Sequence, residues 1–142
     1  MTAEFSLAVH ALVYLLHKEC VVSSQELADN ICTNPARVRK VMTKLHKAGL
    51  VDAFQGKGSG YQSRPGSAEL SLDRVLDALD EEPITMNWRS GAIDRECLIS
   101  SGMGNVMDGL YADMNEACRR RLANMTVGGI NQTIFARKKD QK

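Results

Sequence analysis

Five basic side chains fall within eleven positions, Arg37, Arg39, Lys40, Lys44 and Lys47. Guanidinium and ammonium groups at that density can hold a row of phosphates. The surrounding stretch, Thr33 to Arg64, carries seven basic residues against one acidic residue, Asp52, a net charge of +6 in a chain whose total is +1. Residues 1–32 carry −3, residues 65–124 carry −5 and residues 125–142 carry +3. A nearly neutral chain thus concentrates its positive potential on one short unit, the electrostatic footprint of a phosphate polymer. A basic run alone is most often a solvated helix face. Its meaning depends on the elements that carry it.

A second chemistry belongs to the thiols. The four cysteines, Cys20, Cys32, Cys97 and Cys118, are widely spaced, with no CxxC pair to suggest a metal site. Cys32 is expected just before a helix N-terminus and near Arg37, and both would favour a thiolate. Cys97 falls in a charged loop. The competing account is that free cysteine packs as a small hydrophobe, which suffices for Cys118 on an apolar seam. His10 and His17 stand seven residues apart on one helix, about 10 Å along its axis, too far to chelate one metal. No metal site is expected. Nor is an enzyme: there is no nucleophile–base set, and the glycines at 56, 58 and 60 join two strands rather than opening a helix.

The elements that must position these groups are legible from periodicity. Residues 2–18 read as a helix, apolar on most sides and so buried on most sides, with a second subunit a plausible cover. Ser24 can cap a helix reaching Ile31, with Leu27, Ala28 and Ile31 facing inward. A turn at Cys32 and Thr33 leads to Asn34, a cap for a helix that opens on Pro35, where a missing N–H costs nothing. That helix sets Val38, Val41, Met42 and Leu45 against a core and leaves the basic residues outside. Gly49 stops it. Residues 50–54 alternate as a strand, Gly56 to Gly60 turn, and Tyr61 begins a return strand that Cys20–Val22 can join. The unit is a winged helix-turn-helix, whose natural ligand is duplex DNA.

Beyond Pro65 the pattern is helical again. Ser71 can cap a helix to Glu81 built on Leu72, Val75, Leu76 and Leu79. Residues 84–102 read as a long irregular loop, functional or poorly ordered. Residues 103–125 form the longest helix. Its stripe of Met103, Val106, Met107, Leu110, Met114, Ala117 and Cys118 suits helix–helix pairing. Val127-Gly-Gly-Ile130 is expected to break it. Ile134 and Phe135 then dock a short last element, and residues 137–142 fray. The chain therefore divides into a DNA-binding domain, 1–66, and a dimerisation and regulatory part, 67–142, in a mainly α protein. No apolar run reaches the roughly 18–20 residues of a membrane span, and no signal peptide is visible, so a cytoplasmic location is expected.

The element order, with "LHKAGLVDAFQGKGSGYQSRP" as wing and "LSLDRVLDAL" as the following helix, resembles the Rrf2 family of bacterial transcription regulators over residues 1 to about 125. The resemblance implies a homodimer on a pseudo-palindromic operator, with the recognition helix in the major groove and the wing at the minor groove. It would put Thr33, Asn34, Pro35, Arg37 and Arg39 at base edges and Lys40 and Lys44 on phosphates. Lys57 and Ser59 would tip the wing, and Ser24 and Tyr61 complete the expected DNA-facing set. Three positions depart from the family pattern: Ser59 replaces a usual glycine, and Ser63-Arg64 replaces a common Leu-Ala.

Several members hold an iron–sulfur cluster on three closely spaced loop cysteines. Here the loop holds only Cys97, so no cluster is expected. The chain looks similar to the cluster-free members, with Cys-Leu-Ile-Ser (97–100) replacing a Cys-Pro-Val-Gly type motif. The positions of the thiols then suggest a redox switch in which Cys32 of one subunit and Cys97 of the other bridge on oxidation. The alternatives are a regulator gated by a small molecule at the 84–102 loop, with Trp88 and Arg89 suited to an anionic or aromatic ligand, and an interaction module that no longer reads DNA.

Overall fold

The computed structural model describes residues 1–140, with side chains through Lys138. Helix α1 (Ala3–Lys18) is the axis of the fold. Thr2 caps it, accepting from the Glu4 N–H. Phe5, Leu7, Ala8, Ala11, Leu12, Val13 and Leu15 are buried around its circumference. The cover comes from its own chain: α2 (Ser24–Ile31), α3 (Pro35–Lys47), α4 (Leu72–Ala78), the second wing strand and α6 (Val127–Asp140) all pack on it. The greasy helix therefore does not itself require a second subunit.

Helix α2 begins one residue earlier than its expected cap allows. Ser23, not Ser24, is the N-cap and accepts from the Glu26 N–H at 3.0 Å. Helix α3 starts as its residues dictate: Asn34 Oδ1 accepts from the Arg37 N–H at 2.9 Å and Pro35 takes the first helical position. Gly49 follows with φ +75°, a left-handed stop. Strands β1 (Val51–Phe54) and β2 (Gly60–Ser63) pair antiparallel, Val51 opposite Ser63 and Phe54 opposite Gly60. Val22 adds one bridge to Tyr61, as its extended stub suggests.

One apolar core runs from Phe5 through Val38, Val41, Met42 and Leu45 to Leu72, Val75, Leu76 and Val127. It crosses the boundary expected near residue 66. Each fully buried Leu or Val in it contributes about 1.5–3 kcal/mol by leaving water.

The second half departs from expectation at both ends of its long helix. Helix α5 spans Leu98–Ala123, so residues 98–102 belong to the helix and not to the loop. Gly104, which the expected helix already contained, has a packing reason. A Cβ on Gly104 would lie 2.5 Å from the Arg89 guanidinium carbon, so its absence lets the loop lie close against the helix. The chain turns at Asn124 and Met125, before the two glycines, and Gly128 and Gly129 lie in the first turn of α6. A Cβ on Gly128 would meet the Ala68 carbonyl oxygen at 2.7 Å, so this glycine sets the close approach of α6 to the 3-10 turn Ser67–Glu69. The expected fraying from residue 137 is instead helix through Asp140, and residues 141–142 lie outside the described residues.

Candidate nucleic-acid interface

Helix α3 buries Val38, Val41, Met42 and Leu45 and presents the opposite side to solvent. At 100° per residue, Ala36, Lys40, Thr43 and Lys47 stand outermost, with Arg39 on the flank toward α2 and Arg37 and Lys44 on the other flank. The structure thus gathers Arg37, Arg39, Lys40 and Lys44 on one helix, as their spacing requires. Thr43 and Lys47 were not singled out as DNA-facing residues, although the same projection reveals them. Thr43 donates to the Arg39 carbonyl oxygen at 2.8 Å, so its methyl and hydroxyl sit between the two rows of basic residues.

The remaining expected residues divide by role. Asn34 spends its side-chain oxygen on the cap, and Thr33 and Pro35 are half-buried at the turn. Ser24 accepts from the Arg39 guanidinium at 3.4 Å and steers it. Tyr61 lies beside the same guanidinium. Burial pushes its phenol above the usual 10.0, against the opposing charge of Arg39. Its ring packs on the core, so it supports the wing more than it tips it. Lys57 and Ser59 are exposed at the turn, where Gly56 and Gly58 take φ of +80° and +79° and Ser59 N–H closes onto the Gly56 carbonyl at 3.1 Å. Arg64, in place of an apolar anchor, donates to the Gly49 carbonyl at 2.8 Å and lies 3.6 Å from Asp52. It staples the base of the wing to the exit of α3.

The thiols lie in contrasting settings, and all four cysteines are unbridged within the chain. Cys32 is the C-cap of α2, in left-handed conformation at φ +65°, and its thiol leans toward the Asp29 carbonyl at 3.8 Å. Its nearest helix end is thus the C-terminus of α2 rather than the N-terminus of α3. Cys97 is the N-cap of α5 and fully exposed. Its sulfur makes no cap hydrogen bond, but the nearby backbone N–H groups of Ser100 and then Ile99 lower its pKa below the usual 9.0. Among the described residues, no group of three or more His, Cys, Asp or Glu is placed to hold a metal ion. His10 instead pairs with Asn30 at 2.7 Å, and His17 stacks on Phe135 with ring centroids 4.7 Å apart.

The loop before α5 is pinned, not slack. Arg89 reaches Asp108 at 3.1 Å and Asn105 at 2.6 Å. Asn115 clamps both backbone groups of Ile84, at 2.7 and 3.1 Å. Helix α5 spends its polar face on these contacts. Its apolar stripe points away from its own chain, with Ile99 72%, Val106 66% and Leu110 47% exposed. A cavity of about 540 Å³ lies between loop and helix, lined by Met86, Trp88, Arg89, Met107 and Tyr111 among others.

A capped basic helix, a preceding helix at a tight turn and a two-stranded wing define a winged helix-turn-helix protein, extended here by a long helix with a bare apolar side. Residues 1–132 match the Rrf2 family model, described as an iron-dependent transcriptional regulator. The chain belongs to the Rrf2 family and is a DNA-binding transcriptional regulator, not an enzyme. YwnA of Bacillus subtilis (strain 168), assigned as an HTH-type transcriptional regulator, is 23% identical over 136 residues, covering 95% of this chain and 99% of YwnA. A crystal structure of a protein assigned as a transcriptional regulator from Lactobacillus plantarum matches at TM-score 0.79 and 25% identity, with 100% of each chain covered. Staphylococcus aureus CymR matches at TM-score 0.67 and 19% identity over 92% of this chain and 96% of its own. The oxidized form of CymR matches at TM-score 0.66 and 18% identity over 92% and 94%. Among the described residues, no group of three or more His, Cys, Asp or Glu is placed to take the iron that the family description names.

Proposed function

We propose that this regulator acts as a homodimeric repressor in the cytoplasm, binding a pseudo-palindromic operator through α3 and the wing and releasing it on thiol oxidation. The observation that carries the DNA-reading part is the exposed basic face of α3 beside the exposed wing turn. The outward apolar stripe of α5 supports the dimer, since a second copy would cover what this chain leaves bare. We propose further that no iron–sulfur cluster takes part. Anaerobically purified protein should then show neither cluster absorbance nor stoichiometric iron.

Cys97 supports the redox reading, being exposed at the start of α5, where the backbone N–H groups of Ser100 and Ile99 hold its pKa down. In the proposed step hydrogen peroxide takes two electrons from the Cys97 thiolate and, with one proton from solvent, gives a sulfenic acid and one water. The Cys32 thiol of the partner subunit then attacks that sulfur and a second water leaves as the disulfide forms. That CymR of Staphylococcus aureus has an oxidized-form structure is a fact about CymR, and it lends the reading a parallel. The test is a non-reducing gel with peptide mass mapping after mild peroxide, run beside DNA binding for wild type, Cys32→Ser and Cys97→Ser. A reducible cross-linked dimer that needs both thiols and loses DNA is expected. A monomer band with unchanged binding refutes the bridge.

A second reading has a specific observation of its own. The cavity beside Trp88 and Arg89 would admit a small aromatic or anionic effector, although Arg89 is already paired with Asp108. DNA affinity indifferent to thiol state but shifted by a metabolite would favour it.

A further inference from the structure

The carboxylate of Glu4 sits between two lysines of α3, one on each oxygen: Lys44 Nζ at 2.9 Å and Lys40 Nζ at 3.3 Å. These are the two side chains expected to hold phosphates. Glu4 lies in the first turn of α1, where the helix N-terminus favours a negative charge. Its side chain is only 19% exposed, so the pair is shielded better than most surface ion pairs. Its geometry is fixed from behind. The Thr2 hydroxyl that accepts from the Glu4 N–H also donates to Glu81, and the Thr2 N–H donates to Glu81 at 3.1 Å. Both lysines thus face a fixed internal anion at the place where phosphates would compete for them.

We infer that Glu4 is an internal phosphate competitor that holds down the affinity of the recognition helix for DNA of arbitrary sequence. The inference rests on the DNA-binding reading of α3. Non-specific binding is almost wholly phosphate contact. Glu4 cancels one of the two positive charges of Lys40 and Lys44 and leaves both paired until a phosphate displaces it. Base contacts from Arg37 and Arg39 carry no such competitor. Background binding, which rests on phosphate contacts, is thereby held down where wrong sites are in large excess.

The test is fluorescence anisotropy of a labelled 30-base-pair duplex of scrambled sequence, titrated with full-length wild type and Glu4→Gln at several salt concentrations. Thermal unfolding in parallel confirms that the variant folds. Glu4→Gln should bind about 3–10-fold more tightly at low salt, with the log K against log salt slope steeper by about one. In a Lys40→Met/Lys44→Met background the same change should do nothing. Equal affinities for wild type and Glu4→Gln, or a gain that survives without the lysines, would overturn the inference. Failure of either protein to bind any duplex would instead overturn the DNA-binding reading beneath it.

Discussion

Arg119 on α5 donates to Asp77 on α4 at 2.7 Å, and the same guanidinium reaches Glu82 at 3.2 Å and the Glu81 carbonyl at 3.1 Å. This one side chain ties the long helix to the end of α4. Glu81 in turn binds Thr2, which caps α1 next to Glu4. A continuous polar line thus runs from α5 to the recognition helix. Arg119→Ala should destabilise the protein by about 1 kcal/mol, discounted because Asp77 and Glu82 are more than half exposed. Urea unfolding measures the loss, and hydrogen exchange at residues 79–84 should quicken.

The wing depends on one glycine. A Cβ on Gly60 would lie 2.4 Å from the Val22 carbonyl oxygen, inside the bridge between Val22 and Tyr61. Gly60→Ala should cost about 1–3 kcal/mol as the backbone is forced apart, and should weaken DNA binding by displacing Lys57 and Ser59. Chemical denaturation and a binding titration check the two effects separately. Gly58→Ala, with nothing within 4 Å of its Cβ, should disturb only the turn conformation.

Glu4 should leave a mark on acid stability. The hydrogen bond from Lys44 is the largest cause holding its carboxyl below the usual 4.5, Lys40 adds to it and burial opposes it. A carboxyl whose pKa is depressed by folding stabilises the folded state above its unfolded pKa, and that contribution is lost as pH falls through the folded value. The stability curve should therefore drop as pH goes below about 4.5, and Glu4→Gln should flatten that limb. Urea midpoints between pH 7 and pH 3 decide it.

Cys97 should alkylate as a thiolate at lower pH than an ordinary thiol. The pH profile of iodoacetamide labelling at this residue, followed by peptide mass, should have a midpoint below 9.0 because the Ser100 and Ile99 N–H groups stabilise the anion. A midpoint at or above 9.0 would remove the structural basis for its part in a thiol switch.

How much of this was legible in the sequence depends on the range of the forces involved. The stretch from α2 to β2 could be read because local signals fix it: Asn34 as cap, Pro35 at the first helical position, Gly49 as stop and the glycines of the turn. Two adjacent serines defeated the choice of cap between Ser23 and Ser24. Gly128 misled for a deeper reason. Helix propensity counts glycine as a breaker, whereas here it admits a distant group, the Ala68 backbone. The Glu4 pairing joins residues forty positions apart and leaves no local trace. Cys32 lies in the turn before the α3 cap, as its sequence position implies, but its left-handed conformation as the cap of α2 cannot be read from its neighbours.

The central claim is that the exposed face of α3 reads duplex DNA. The most direct measurement is selection of bound duplexes from a random pool, using wild type and Arg37→Ala/Arg39→Ala in parallel. Wild type should enrich a pseudo-palindrome with half-sites one helical turn apart, about 10 base pairs, or a multiple of that. The variant should lose about 1–3 kcal/mol per removed base contact and relax the sequence at those positions. No enriched sequence with wild type, or the same sequence enriched equally by the variant, would contradict the account.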